Sequence, residues 1–94
     1  MIFEIKYAEK VVKEEIPKLP KIPREQIQKD IEKKLTTMPE IFGKPLRKSL
    51  KGYRRLRIGD YRVIFRIEKN TVKIFKIGHR STIYNDLILK MFNS

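Results

Sequence analysis

The sequence contains no cysteine and no tryptophan, and its only histidine is His79. Without thiols the chain has no disulfide, no thiolate nucleophile and no cysteine-based zinc site, and one imidazole is too few for a histidine metal cluster. We therefore expect any chemistry to proceed without a metal ion or other cofactor.

Long apolar runs are also missing. No stretch approaches the ~20 apolar residues that cross a bilayer, and Met1-Ile2-Phe3-Glu4 lacks the basic start and apolar stretch of a secretion signal. We expect a cytoplasmic protein with no membrane partner. At 94 residues without an internal repeat, the chain is predicted to be one small domain, residues 1–94, with a thin core.

Acidic residues are scarce in one segment only. Between Ile41 and Tyr84, 13 Lys and Arg residues face two acids, Asp60 and Glu68, so this segment carries +11 of the chain's net +12. The first forty residues are nearly balanced, with nine basic and eight acidic. The positive charge is therefore predicted to form a localised surface for an anionic partner.

A strand and a helical hairpin are predicted in the first half. Residues 2–7 alternate in polarity and predict a short strand whose inward side is Phe3, Ile5 and Tyr7. Apolar residues at helical spacing then predict one helix from Ala8 to Pro17 and a second from near Arg24 to Leu35. The connection is expected to be held in extended or turn geometry by Pro17, Pro20 and Pro23.

The second half predicts a three-stranded meander. Residues 38–52, rich in proline and glycine, predict a surface loop with a short turn of helix. Strand-like runs at 53–58 and 61–67 flank Gly59-Asp60, a pair typical of a tight hairpin turn. A third strand is predicted at 71–77, ended by Gly78. A final amphipathic helix is predicted from Tyr84, Leu87, Ile88 and Met91.

The two-residue turn fixes how the hairpin pairs, with Ile58 opposite Tyr61 and Arg57 opposite Arg62. Because side chains alternate between faces, one face collects Leu56, Ile58, Tyr61, Val63, Phe65 and Ile67, with Arg54 at its rim. The other face collects Tyr53, Arg55, Arg57, Arg62 and Arg66 around Ile64. Arginine grips phosphate in a bidentate manner, so this basic face is predicted to bind a polyanion.

Metal-free RNA cleavage requires a cationic clamp on the phosphate and groups that move protons. Three arginines of the basic face suit the clamp: Arg55, Arg57 and Arg62. Arg80 and Tyr84 follow the third strand, and His79 is the only side chain of a type whose reference pKa lies near neutrality. A structural hydrogen-bonding role for His79 and a core position for Tyr84 remain alternatives. Further phosphate contacts are predicted at Lys44, Arg47, Lys48, Lys51 and Arg66, although a solvated linker is the alternative for the loop.

The run from Lys51 to Phe65, KGYRRLRIGDYRVIF, together with Ile77-Gly78-His79-Arg80 and Ile83-Tyr84, resembles the RelE/ParE superfamily of bacterial and archaeal toxins. The order of elements is similar along essentially the whole chain. The resemblance implies an α+β fold: a small antiparallel sheet with an N-terminal helical hairpin and a short C-terminal helix. It also implies a type II toxin that a small acidic antitoxin neutralises.

The resemblance further implies site residues and two target classes. RelE-like members cut mRNA in the ribosomal A site, whereas ParE-like members poison DNA gyrase on much the same fold. By position, Arg55 falls at a catalytic lysine of RelE-type enzymes, Arg62 and Arg80 at catalytic arginines, and Tyr84 at a functional tyrosine. We therefore expect a ribosome-dependent mRNA endonuclease, with ribosome and mRNA as partners. A gyrase inhibitor without ribonuclease activity and a non-catalytic RNA-binding module are the alternatives.

Overall fold

The computed structural model describes residues 2–47, 50–85 and 87. Within them, five strands form one sheet in the order β1-β5-β4-β3-β2. Their bounds are Glu4–Tyr7 for β1, Lys44–Pro45 for β2, Arg54–Ile58 for β3, Tyr61–Glu68 for β4 and Thr71–His79 for β5. Together with the helices described below, this sheet confirms the predicted α+β class.

The sheet is mixed rather than wholly antiparallel as predicted. Strands β2 to β5 pair antiparallel, but β1 runs parallel to β5, with Ile5 opposite Val72. Parallel neighbours need a long connection, and here the helices and the meander together supply it. The inward residues Phe3, Ile5 and Tyr7 pack against the core as expected.

The helical hairpin consists of α1, residues 9–18, and α2, residues 21–35. Each contains a π-helical turn, Val11–Glu15 in α1 and Ile31–Leu35 in α2, where α2 ends. A third, single-turn helix, α3, spans Pro39–Phe42. In the described part of the chain, none of these helices has the length and apolarity needed to cross a bilayer.

The prolines lie differently from the prediction, which put all three in the connection. Of the three, only Pro20 lies in the connection, as the residue before α2. Pro23 lies in the first turn of α2, where a missing N–H leaves no bond unmade, so α2 begins at Lys21 and not at Arg24. Pro17 follows the π turn, in which the Ile16 N–H donates to the Val11 carbonyl five residues back, so the regular α ladder is already interrupted there.

The segment predicted as a surface loop carries an edge strand as well as the expected helical turn. Strand β2 pairs with β3, placing Lys44 opposite Arg55 and Pro45 opposite Arg54. Proline is accepted on an edge strand because no further strand needs its N–H. Gly43, which joins α3 to β2, packs closely over the buried Phe65 ring.

The predicted hairpin register is confirmed in all five pairs from Ile58–Tyr61 to Arg54–Phe65. Tyr53 lies just outside β3, with the Arg66 guanidinium 5.9 Å from its ring centre. Strand β5 continues through Gly78 to His79, two residues beyond the prediction. Gly78 does not end it because its φ is not positive, unlike that of Gly59 in the hairpin turn.

Apolar side chains form a core on each face of the sheet. The larger one lies under α1 and α2, and its buried members include Val11, Ile27, Ile31, Leu35, Val63, Phe65, Val72 and Ile74. The smaller one lies on the basic face and joins Leu50, Ile64, Ile83 and Leu87, with Tyr84 packed against it. Residues 83–85 and 87 are helical, and the rest of the predicted final helix lies outside the described residues.

One side chain of α1 bonds directly to the sheet. The Glu15 carboxylate accepts a hydrogen bond from the Ile77 backbone N–H at 2.8 Å and another from Lys76 Nζ at 2.8 Å. Strand β1 pairs with β5 only as far as Ile74, so Glu15 satisfies a backbone donor that lies beyond the end of β1. Both charged side chains are only 10% exposed.

Gly43→Ala is expected to destabilise the fold, because its new β-carbon would overlap Cζ of Phe65, which has no exposed surface. Overpacking of this kind costs about 1–3 kcal/mol of unfolding free energy, measurable by urea denaturation. Gly78→Ala is the matched control, since its β-carbon would meet Ile83 at an ordinary 3.6 Å. Equal stability of the two variants would contradict the close packing at Gly43.

Candidate functional site

A cleft of about 150 Å³ opens on the basic face of the sheet. Its lining consists of one aromatic residue and four cations, Phe42, Lys44, Arg55, Arg57 and Arg62. Register explains why they converge: Lys44 lies opposite Arg55 across β2 and β3, and Arg57 lies opposite Arg62 across β3 and β4. Cross-strand partners share a face, so all four cations surround the same space.

Among the described residues no carboxylate lines the cleft, so none of them supplies a counter-charge to the four positive charges there. Like charges directly opposite in a sheet destabilise it by roughly 0.2–1 kcal/mol. A bound phosphate reverses the sign of that interaction and can accept paired hydrogen bonds from each guanidinium. The geometry and charge of the cleft therefore suit a phosphate group.

Two arginines of the cleft are oriented by neighbouring groups. Arg62 Nη1 donates to the carbonyls of Gly59 and Tyr61, both at 2.9 Å, which ties its guanidinium to the hairpin turn. Arg55 Nη1 donates to the Tyr84 hydroxyl at 3.3 Å. Donors fixed in advance need little reorganisation when charge develops on a ligand.

Tyr84 takes the core position that was one alternative and also contacts an arginine of the cleft. Its half-buried ring packs against the small core on the basic face, while its hydroxyl contacts Arg55. The structure thus brings four predicted residues together, with Arg55, Arg57 and Arg62 in the cleft and Tyr84 beside it. Lys44, predicted as a phosphate contact, joins them.

Arg80 lies at the hairpin turn and not in the cleft lining. Its backbone N–H donates to the Asp60 carbonyl at 2.8 Å, and its Nε lies 3.4 Å from Asp60 Oδ1. Both side chains are more than half exposed, so this ion pair contributes little stability. Arg62 donates to the carbonyl of Gly59 in the same turn, so both predicted arginines contact the hairpin turn.

His79 lies on the opposite face from the cleft. It pairs with Tyr61 across β4 and β5, and the two rings meet edge to face with centroids 5.5 Å apart. Its Nδ1 accepts the Ser81 backbone N–H at 3.1 Å. These contacts favour the structural alternative for His79.

The other predicted phosphate contacts are dispersed. Arg47 and Lys51 are exposed on the segment between β2 and β3, outside the cleft lining, and Lys48 lies outside the described residues. Arg66 lines a different groove, of about 310 Å³, where its Nη2 is 3.2 Å from Glu68. A hydrogen bond from Lys73 lowers the pKa of Glu68, which favours the anionic carboxylate that Arg66 contacts.

Comparison with known proteins identifies the family. Residues 6–84 match the family model for the ParE toxin of the type II toxin–antitoxin system parDE. The chain belongs to this family. It is thus a type II toxin of the RelE/ParE superfamily, as the hairpin motif predicted.

The curated relatives of this toxin come from Mycobacterium tuberculosis. Toxin RelG is 44% identical over 52 residues, which cover 53% of this chain and 60% of the relative. Toxin RelE is 42% identical over 52 residues, which cover 53% of this chain and 54% of the relative. The match therefore spans little more than half the length of either relative.

Solved structures share the fold over most of the chain. The RelBE2 toxin–antitoxin complex of M. tuberculosis superimposes with a TM-score of 0.78 at 27% identity, covering 84% of this chain and 92% of that one. The RelE–RelB complex of Pyrococcus horikoshii gives 0.59 at 27% identity, covering 85% and 97%. A free E. coli RelE mutant gives 0.72 at 20% identity, covering 96% and 98%, a likeness of fold alone.

The sequence did not predict Phe42 as a wall of the toxin's cleft, nor Lys44 as a partner of Arg55. Both follow from α3 and β2, which together span only six residues. Such short elements leave no periodicity to read. The remaining signal was Gly43-Lys44-Pro45, a glycine and a proline bracketing one lysine, which by itself indicates only a turn.

Arg57→Ala is expected to weaken binding of single-stranded RNA by this toxin and to flatten its salt dependence. Loss of one phosphate contact lowers the slope of log affinity against log salt by about 0.7 for a single strand. Fluorescence anisotropy with a labelled oligonucleotide over a salt series measures both effects. Lys29→Ala removes the same charge from the exposed side of α2 and should leave the slope unchanged. Equal slopes for the two variants would rule out a phosphate contact at Arg57.

Proposed function

We propose that this toxin is a metal-independent endoribonuclease that cuts mRNA on the ribosome and so inhibits translation. The observation that carries the proposal is the cleft in which Lys44, Arg55, Arg57 and Arg62 converge, with no carboxylate among the described residues that line it. The relatives named RelE and RelG support the same assignment.

The proposed reaction is an attack by the ribose 2′-OH on its neighbouring phosphate. Negative charge grows on the phosphate oxygens as the new bond forms, and fixed cations stabilise that charge more than they stabilise the ground state. Arg55 and Arg62, each held by a hydrogen bond to a neighbour, are the proposed clamp. Arg80 is proposed to reach the same phosphate from the hairpin turn, and Tyr84 to orient Arg55.

Dependence on the ribosome fits the shape and charge of the site. The cleft is small, so it accommodates one phosphate rather than a length of RNA, and another body must hold the mRNA strand in line. The segment from Ile41 to Tyr84 carries a net charge of +11, far more than one phosphate requires. We propose that Arg47 and Lys51, exposed beside the cleft, contact ribosomal RNA phosphates in the cytoplasm.

An acidic antitoxin is the proposed regulator. Two of the solved neighbours described above are RelB–RelE-type toxin–antitoxin complexes. An acidic segment laid over the cleft would neutralise the unpaired arginines and exclude RNA. The same charge that attracts nucleic acid would therefore hold the toxin inactive.

A gyrase-directed activity is the second candidate, because the matching family model bears the name ParE. Such a toxin would bind a protein and need no phosphate clamp. It would leave mRNA intact and stop DNA replication. The cluster of cations in the cleft, whose described lining holds no acid, favours the ribonuclease.

Arg62→Ala is expected to abolish mRNA cleavage in a translation reaction, because it removes a cation fixed at the reacting phosphate. Primer extension on a defined mRNA measures the cuts, with a ribosome-free reaction beside it. Lys29→Ala should cut at the same positions as the parent, and Arg62→Lys should cut poorly because it lacks the planar fork.

Codon-spaced cuts that need both ribosomes and Arg62 would support the ribonuclease. Intact mRNA with normal translation in the presence of the parent toxin would overturn it. Inhibition of DNA supercoiling by purified gyrase, measured on the same preparation, would then support the second candidate.

A further inference from the structure

Among the described residues that line the cleft, one side chain alone can release a proton under ordinary conditions. The lining contains Phe42, three arginines and Lys44. A guanidinium keeps its proton in proteins, whereas a lysine ammonium donates one and then recovers it from water. The cleft thus combines fixed charge from three residues with transferable protons from one.

The backbone around Lys44 is held in place. Gly43 packs over Phe65, and its carbonyl accepts a hydrogen bond from Arg54 Nη1 at 2.9 Å. On the other side, the Leu46 N–H donates to the Tyr53 carbonyl at 2.9 Å. Lys44 itself pairs with Arg55, so a short edge strand carries it at a fixed point beside the clamp. Sites built on such supported elements position their groups best.

Tyr84 is the competing proton donor near the clamp. Its hydroxyl, however, accepts a hydrogen bond from Arg55, and its ring packs against the small core. It also lies outside the cleft lining. Lys44 is exposed and borders the cleft, so its ammonium can reach a phosphate ester oxygen there.

From these observations we infer that Lys44 is the general acid of the cleavage step, which rests on the proposed ribonuclease function. The 2′-oxygen forms a bond to phosphorus and loses its proton to water. The bond from phosphorus to the 5′-oxygen breaks, and that oxygen takes a proton from Lys44 Nζ. The neutral amine then regains a proton from water, so the reaction yields a 2′,3′-cyclic phosphate and a 5′-hydroxyl with no net change in protons.

A substrate with sulfur in place of the bridging 5′-oxygen at the cleavage site tests this role. A thiolate leaves without protonation, so a missing general acid no longer matters. Lys44→Ala is expected to slow cleavage of the oxygen substrate on the ribosome by about 10²–10⁴-fold, the usual contribution of a general acid. On the sulfur substrate the same variant should lose only what its missing charge contributes, so its slowing should be far smaller than on the oxygen substrate.

Two further variants separate proton donation from charge. Lys44→Arg keeps the positive charge but has no transferable proton. It should therefore cleave the oxygen substrate slowly and the sulfur substrate at the parent rate. Arg62→Ala should be slow on both substrates, because the clamp is needed in either case. Because Lys44 is exposed on an edge strand, the unfolding curves of both Lys44 variants should match the curve of the parent protein.

Each outcome bears on a separate claim. Full activity of Lys44→Ala on the oxygen substrate would overturn the inference and leave the ribonuclease standing. Equal slowing on both substrates would show that Lys44 only binds phosphate, which also overturns it. A parent toxin that cuts neither substrate would instead overturn the proposed function, and the role of Lys44 with it.

Discussion

The hydrogen-bonded carboxylate of Glu15 holds the helical layer to the sheet, and the site depends on it. It accepts bonds from the Ile77 N–H and from Lys76 Nζ where β1 no longer covers β5. Breaking such a buried pair by removing one partner costs about 3–5 kcal/mol. Lys76 lies in the cross-strand row of Lys44, Arg55 and Ile64. Glu15 thus neutralises Lys76, whereas the other two cations of that row, Lys44 and Arg55, line the cleft, where no described carboxylate is present.

The pairing within the hairpin could be predicted from local sequence, whereas the pairing of strands that are distant in sequence could not. Gly59-Asp60 is a two-residue turn, and such a turn with alternating side chains permits one register, so the five pairs from Ile58–Tyr61 to Arg54–Phe65 are present as predicted. The parallel pairing of β1 with β5 joins residues about 67 positions apart, as Glu4 does with Thr71. No local pattern encodes that choice. The prediction that Pro17 and Pro23 lie between the helices was wrong for another reason. Each occupies a helical position at which a backbone N–H is not needed.

The candidate site was predictable where it lies on regular strands and less so beyond them. Arg55, Arg57 and Arg62 follow from the period of two and share the cleft. His79 is the last residue of β5 and Arg80 is the first residue after it, so a shift of one residue decides which face each side chain takes. His79 continues the pairing and so points away with Tyr61, whereas Arg80 turns to Asp60. Arg66 shares the basic face but contacts Glu68, an acid two residues along the same strand.

Stability and binding make opposite demands on the basic face. Arg57 and Arg62 repel one another across the hairpin, and a better-folded variant would separate or neutralise them. The chain instead stabilises that face with apolar residues, since Ile64, Ile83 and Leu87 are fully buried there. Tyr84 packs against this small core and accepts a hydrogen bond from Arg55, so apolar packing helps to orient a charged side chain. An anionic ligand would therefore relieve the repulsion between Arg57 and Arg62. Binding such a ligand to the folded state stabilises the fold by mass action.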